Sequence, residues 1–397
     1  MTFRSGRHFL QIPGPTNVPD RVLRAIDRPI IDHRGPEFVA LTENLLKRLK
    51  AIFKTSGPVL VFPASGSGGW EAALVNTLSP GDHVLMFDQG FFANGWKSVA
   101  ERHELQVDVI PHDWRCAIDA NQLAEKLAAD KEHIYRAVLI VHNETSTGVA
   151  SDIASVREAL NHVGHPALLM VDTVSSLASM NYCHDAWGVD VAVGGSQKGL
   201  MLPPGLGFNA VSEKALEANG TAKLPRSYWD WQLMLEANEV GFFPYTPATN
   251  LIYGLRESLD MLAEEGFDNV FARHARLGEA TRRAVTAWGL EIYPVEPEAA
   301  GNSVTTVLVP EGCDSDALRS VILDRFDMSL GTGLGKLKGK VFRIGHLGDF
   351  NELMLAGTLC GVEMGRAAAS VPFQPGGVQA ALEYLGTCAI TRGNHAP

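Results

Sequence analysis

Ala167-Leu168-Leu169-Met170-Val171-Asp172, five apolar residues closed by a carboxylate, is the stretch on which the reading of the fold turns. A strand with one wet face alternates apolar and polar residues, whereas an unbroken apolar run of this length fits a strand covered on both faces. Runs of the same kind stand upstream at Val59 to Phe62, Val84 to Phe87, Val107 to Ile110 and Val138 to Val141, and downstream at Val191 to Val193. Amphipathic stretches lie between them at Trp70 to Leu78, Asn94 to His103, Asn121 to Ala129 and Ile153 to His162. Strand and helix alternating in this way predict an α/β fold with a mostly parallel central sheet flanked by helices.

The pattern changes after Pro247. Leu251, Leu255, Leu259 and Leu262 make a stripe at helical spacing, and a long helix is expected from about Asn269 to Trp288, capped by Gly289. A strand at Ser303 to Val309, a helix at Asp314 to Phe326, a strand at Val341 to Ile344 and a helix at Glu352 to Arg366 predict a smaller C-terminal α/β domain. The expected organisation is a large domain over 21–265 and a small one over 266–397. Residues 1–20, with Pro13, Pro15 and Pro19 around Gly14, cannot be helical; they read as an extended arm over another surface, that of a partner subunit.

Composition removes several classes. A chain of 397 residues that is 46% apolar can bury a large core, and with 20% charged residues and no charge run it is neither disordered nor a coiled coil. Thirty-four Lys and Arg against 45 Asp and Glu leave a net charge of −11, which lacks the basic surplus that nucleic acid requires. The apolar runs fall short of the ~20 residues that cross a bilayer. The first ten residues lack the apolar block of a signal peptide, so no membrane is expected and the cytoplasm is the expected compartment. Five cysteines, odd in number and without a C-x-x-C pair, argue against a disulfide framework and a zinc site.

Pro63-Ala64-Ser65-Gly66-Ser67-Gly68-Gly69-Trp70-Glu71 follows a strand and opens a helix, so its backbone N–H groups can face an anion at the positive end of that helix. A nicotinamide dinucleotide could use the same turn, with Asp88 after the next strand as the ribose-binding acid. Glu71 stands where that fingerprint needs a third small residue, which weakens a dehydrogenase reading without closing it. Gly331 to Leu337 fails as a nucleotide loop, because Leu330 and Leu337 replace its glycine and its hydroxyl residue, and reads as a turn.

Asp172 ends its strand at the carboxyl edge of the sheet, where open α/β sheets bind ligands. After the next strand comes Gly194-Gly195-Ser196-Gln197-Lys198-Gly199, a lysine among glycines. A lone lysine is usually a surface residue, but a buried one loses its proton easily and becomes an amine nucleophile. An anion cup, a carboxylate and an amine at successive sheet-edge positions match the phosphate, ring nitrogen and aldehyde of pyridoxal phosphate.

These residues also carry a resemblance. Ile12-Pro13-Gly14-Pro15-Thr16-Asn17-Val18-Pro19, His142-Asn143-Glu144-Thr145-Ser146-Thr147-Gly148-Val149, Val171-Asp172-Thr173-Val174-Ser175-Ser176, Gly195 to Gly199 with Pro203-Pro204-Gly205, and Arg343-Ile344-Gly345-His346-Leu347-Gly348 occur in order along the chain. Together they resemble the class V aminotransferases that act on glyoxylate. Asp32-His33-Arg34 and Tyr228-Trp229-Asp230-Trp231 are most similar to the serine–glyoxylate branch of that family. The resemblance implies the fold type I of pyridoxal 5'-phosphate (PLP) dependent transferases and a homodimer, or a tetramer of two dimers, with active sites at the subunit interface.

It also implies roles. Lys198 is expected to bond the cofactor aldehyde and then to move the substrate proton, and Asp172 to keep the ring nitrogen protonated. Ser67, Gly68, Gly69 and Gln197 are expected on the phosphate, Phe92 stacked on the ring, Thr145 at the ring oxygen or substrate, and Thr246 on the phosphate of the partner's site. Some relatives carry Tyr where Phe243 stands, and Tyr245 is the substitute this chain offers. Arg343 is expected to grip the carboxylate shared by amino-acid and 2-oxo-acid substrates, since a planar guanidinium can make two parallel hydrogen bonds to it. Arg34 is expected at the partner's substrate entrance or tying down the arm. His33, His142 and His346 lack ligand spacing, so no metal is expected. Cys313, in a helix-entry turn, is not read as a nucleophile. The expected reaction is transamination of glyoxylate to glycine with L-serine as donor, with aspartate or alanine as alternative donors.

Overall fold

The structure is a computed structural model and describes residues 6–393. Residues 1–5 of the expected arm and 394–397 of the expected small domain lie outside the described residues. In chain order the strands are β1 (Phe9–Gln11), β2 (Val59–Ala64), β3 (His83–Phe87), β4 (Gln106–Ile110), β5 (Tyr135–Val141), β6 (Asn143–Glu144), β7 (Val149–Ala150), β8 (Leu168–Asp172), β9 (Val191–Gly195), β10 (Gly205–Val211), β11 (Val304–Leu308), β12 (Met328–Thr332) and β13 (Val341–Gly345). The helices that position the site are α1 (Asp20–Ile26), α2 (Pro36–Phe53), α3 (Gly66–Thr77), α4 (Phe91–Arg102), α5 (Ala120–Ala129) and α6 (Ile153–His162). After them come α7 (Glu213–Asn219), α8 (Trp231–Asn238), α9 (Thr249–Glu265), α10 (Phe267–Ala287), α11 (Ser315–Phe326), α12 (Glu352–Ala368) and α13 (Gly377–Gly393).

The central sheet has the order β2-β10-β9-β8-β5-β3-β4. The neighbours β9, β8, β5, β3 and β4 are parallel, and β10 alone runs antiparallel to both β9 and β2. All five residues of β8 and of β9 are buried, as their unbroken apolar reading requires. The sheet is therefore mostly parallel, with helices on its faces. The carboxyl ends of β2, β8 and β9 fall on one edge, because two antiparallel steps through β10 restore the strand direction.

A second sheet has the order β1-β12-β13-β11. One apolar core covers the central sheet and ends at Val270; the other, around Leu277, Ala284, Ile322, Phe342 and Leu359, covers the second sheet. Helix α10 carries residues of both cores, and Gly266, at φ +81°, makes the turn into it from α9. Residues 9–11, expected in an extended arm, pair in parallel with Met328, Ser329 and Leu330 of the same chain.

The Gly331 to Leu337 segment is a turn only in its second half. Gly331 and Thr332 belong to β12 and pair with Arg343 and Phe342. At Gly331 a Cβ would stand 2.7 Å from Pro13 Cδ and 2.9 Å from Arg343 Cβ, so the glycine serves close strand packing.

Candidate active site

A cavity of about 190 Å³ opens at the edge where β2, β8 and β9 end. Gly14, Ser65, Gly66, Ser67, Trp70, Phe92, Val141, Asn143, Thr145, Asp172, Val174, Gln197 and Lys198 line it. Wider grooves run along α10, but Arg273, Arg276 and Glu279 in their lining already belong to ion pairs.

Asp172 is the last residue of β8 and is buried. Its Oδ1 accepts from the Val174 backbone N–H at 2.7 Å and its Oδ2 from the Trp70 indole N–H at 2.9 Å. Burial pushes its carboxyl up to about 7, and the two donors oppose that rise.

Lys198 lies three residues past the end of β9 and is also buried. Its Nζ donates to the Pro13 carbonyl. Gly14 makes room for this approach: a Cβ there would stand 2.4 Å from Lys198 Cδ. Burial, and then the positive charge of Arg343, pull Lys198 down to about 8, so a share of it is neutral amine near neutral pH.

Helix α3 begins at Gly66, and the Ser65 side chain places no capping bond on its first turn. The first N–H groups of a helix have no partner within it, so Gly66, Ser67 and Gly68 present donors at its positive end. The Gln197 amide oxygen is buried without a partner, and the same amide turned over offers its N–H groups to an anion. An uncapped helix start, a buried carboxylate and a buried amine thus fit the phosphate, ring nitrogen and aldehyde of pyridoxal phosphate.

Arg343, on β13 of the second sheet, is 6% exposed. Its Nε donates to the Thr332 carbonyl at 2.8 Å and its Nη1 to the Thr145 carbonyl at 2.7 Å. Burial lowers it to about 10, so it stays charged at neutral pH.

The family model for aminotransferase class-V matches residues 8–334. The chain belongs to the class-V aminotransferases. It is 49% identical over 383 residues to a serine–glyoxylate aminotransferase of Arabidopsis thaliana, covering 96% of each chain. It is 48% identical to an L-aspartate–glyoxylate aminotransferase of Paracoccus denitrificans, covering 94% of this chain and 95% of that one. Among solved structures, ureidoglycine–glyoxylate aminotransferase of Bacillus subtilis superposes with a TM-score of 0.89 at 26% identity, covering 97% of this chain and 100% of that one. The fold is the type I fold of PLP-dependent aminotransferases.

Membership of the class-V aminotransferases displaces the dehydrogenase reading, and the geometry agrees. The Asp88 carboxylate offered for a ribose already accepts from Asn94 Nδ2 at 2.8 Å and Trp114 Nε1 at 2.7 Å.

The residues expected at the site are not all brought together. Lys198, Asp172, Ser67, Phe92, Thr145 and Gln197 line one cavity. Gly68 sits on the first turn of α3 against Ala64 and Trp229. Gly69 does a different job from the one expected: its N–H is spent on the Ser65 carbonyl at 3.2 Å, and a Cβ there would stand 2.8 Å from Val193 Cγ1. It lets α3 pack closely on the sheet. Thr246 and Arg34 are exposed and outside this lining. Tyr245 stacks on Tyr228 with centroids 4.2 Å apart, and its hydroxyl is buried without a partner. His142 donates or accepts at Ser176 Oγ, 2.9 Å away, and His346 bridges the Asn302 carbonyl and Thr305 Oγ1.

Three residues at the site had no assigned role in the sequence reading. Trp70 read as the start of a helix and holds Asp172 instead. Asn143 Nδ2 reaches Ser175 Oγ at 2.8 Å and Ser303 Oγ at 2.7 Å, tying the two sheets together. Glu144 is 1% exposed and accepts from Phe92 N, Ala93 N and Ser146 Oγ, so it caps the start of α4. The signal for Glu144 was available: it is the one charged residue in an otherwise uncharged run of small polar residues.

Proposed function

We propose that this class-V aminotransferase uses pyridoxal 5'-phosphate to move the amino group of L-serine to glyoxylate, giving hydroxypyruvate and glycine. The observation that carries the reading is the buried pair Lys198 and Asp172 at one sheet edge, facing a cavity that also meets an uncapped helix start. Serine as donor is supported by 49% identity over 96% of the chain to a serine–glyoxylate enzyme. Aspartate is the second reading, supported by the 48% identical aspartate–glyoxylate relative.

When bound, pyridoxal phosphate supplies an aldehyde for the amino nitrogen and a ring that accepts the electron pair released at Cα. The chain's own groups do the rest. Asp172 would pair with the ring nitrogen, Gly66 to Gly68 and Gln197 would hold the phosphate, and Phe92 would pack against the ring. Arg343 binds the substrate carboxylate and so fixes Cα. Lys198 Nζ, neutral in part because it is buried, takes the Cα proton and later returns one. Because L-serine and glyoxylate both carry a carboxylate beside the reacting carbon, one arginine serves both stages.

Thr246 and Arg34, exposed and away from their own cavity, are placed in the partner's site of a homodimer in this reading.

Purified protein loaded with pyridoxal phosphate is to be given glyoxylate with L-serine, L-aspartate or L-alanine, and the 2-oxo acid formed is measured. Hydroxypyruvate and glycine in equal amounts, with serine the fastest donor, is the expected result. Fast oxaloacetate formation from aspartate beside negligible serine turnover overturns the donor. Lys198→Ala is expected to abolish transfer with every donor.

A further inference from the structure

We propose that Trp70 is a positioning residue of this site, its indole N–H orienting the Asp172 carboxylate and favouring its ionised form, which would pair with the ring nitrogen of pyridoxal phosphate. The cofactor half of this statement rests on the reading above.

The indole N–H is a donor only. It can neither accept a proton from a carboxylic acid nor change charge with pH, so a tryptophan at this distance favours the ionised acid throughout the working range. The Asp172 side chain is enclosed, and Glu144 adds a second negative group nearby that works against ionisation. The donors to its two oxygens, Val174 N and Trp70 Nε1, fix the plane of the carboxylate, while each oxygen keeps a further lone pair for a ligand.

Trp70 is itself held in place. Its ring stacks on the buried Trp96 ring, with centroids 6.0 Å apart and planes 14° apart. At Gly95 a Cβ would stand 3.3 Å from the Trp70 ring, so the glycine leaves room for the indole. Trp70 is also on the first turns of α3, close behind the Gly66 to Gly68 donors. One rigid helix therefore sets both the anion site and the orientation of the carboxylate, and fixes the distance between them.

The test compares Trp70→Phe, which keeps a ring and removes the N–H, with Trp96→Phe, which weakens the stack and leaves the hydrogen bond. Three quantities are read: the Asp172 carboxyl titration by 13C NMR in cofactor-free protein, the dissociation constant for pyridoxal 5'-phosphate, and kcat and KM. Trp70→Phe is expected to raise the Asp172 pKa and to weaken cofactor binding by about tenfold or more, the usual scale for losing one hydrogen bond to a charged group. It lowers kcat with little change in substrate KM. Trp96→Phe is expected to lower thermal stability without moving the Asp172 titration.

If Trp70→Phe fails to fold, the benzothiophene analogue of tryptophan at position 70 keeps the shape with sulfur in place of N–H and gives the same readings. An unchanged Asp172 titration in the Trp70 variant overturns the proposal, as does an equal shift in both variants, which would mean packing alone. If the wild type binds no pyridoxal phosphate, the cofactor reading falls and the ring-nitrogen half of the proposal with it. The titration in cofactor-free protein still decides whether Trp70 holds the carboxylate.

Discussion

The Arg343 guanidinium donates from Nη1 to the Thr145 carbonyl, 2.7 Å away, from the second sheet to the loop that leaves the central one. With Nε on the Thr332 carbonyl as well, the plane of the guanidinium is set by backbone before any substrate arrives. Its Nη2 and the second Nη1 proton remain to grip a carboxylate.

Arg343→Lys keeps the charge and loses that fork. The expected result is a KM for both L-serine and glyoxylate raised by about 10- to 100-fold, the scale of a lost charge-assisted bond, with a smaller loss in kcat. Steady-state kinetics with each substrate varied in turn measures it; an unchanged KM for glyoxylate would remove Arg343 from the acceptor's site.

At Gly90, before α4, a Cβ would stand 2.4 Å from Glu144 Cγ and 2.5 Å from its Cδ. Gly90→Ala therefore expels the carboxylate that caps α4 and holds the Phe92 backbone. A loss of ~1–3 kcal/mol in stability follows from such overpacking, with weaker binding of pyridoxal phosphate. Urea unfolding and a cofactor titration read the two effects separately. Glu144→Gln, which fits the space, is expected to cost less stability.

Gly14 has φ +97°, and Lys198 lies across the position its Cβ would take. Gly14→Ala adds ~1–2 kcal/mol of backbone strain and pushes the lysine side chain from its place. The expected protein folds but gives a weakened near-visible absorbance with pyridoxal phosphate. A wild-type spectrum with wild-type stability would contradict the contact.

Burial pulls His142 and His184 down to about 4 and His274 and His346 to about 3, from an ordinary 6.5. In the unfolded chain all four take up protons near 6.5, so their contribution is fully present above that pH and is lost as pH falls towards 4. Each costs ~1.4 kcal/mol per pH unit within that window. Asp172 and Glu144, raised by burial, act in the opposite direction, because the folded state protonates them first. Asp349, also raised by burial, adds to that opposing side; with four histidines against three carboxyls the denaturant midpoint is expected to fall from pH 6 to pH 4.5, and a flat profile there would contradict the buried neutral histidines.

The core of the fold was readable because strands buried on both faces announce themselves as unbroken apolar runs, and β8 and β9 are such strands. Strand β10 was not read: glycines at 205 and 207 interrupt its apolar pattern, and its neighbours β2 and β9 supply its order. Helix α2 was also passed over, although Phe38, Leu41, Leu45, Leu49 and Ile52 carry a helical stripe. The last two residues of β12, Gly331 and Thr332, fall in the segment that reads as a turn, and the close passage of Pro13 and of Arg343 Cβ explains that glycine. At the site, Lys198 and Asp172 were legible as chemically unusual residues at strand ends. Trp70 was not, because its meaning is a hydrogen bond to a residue 102 positions away, which no local pattern encodes.

Strand β1 has its pairing partner in β12, more than three hundred residues later in the chain. On the ribosome, the segment that carries Pro13 and Gly14 must therefore wait, unpaired, until nearly all of the protein has emerged. Only then is the carbonyl that receives the Lys198 amine fixed in place. A substitution that weakens the β1–β12 pairing would be felt first in the reaction centre and only afterwards in overall folding.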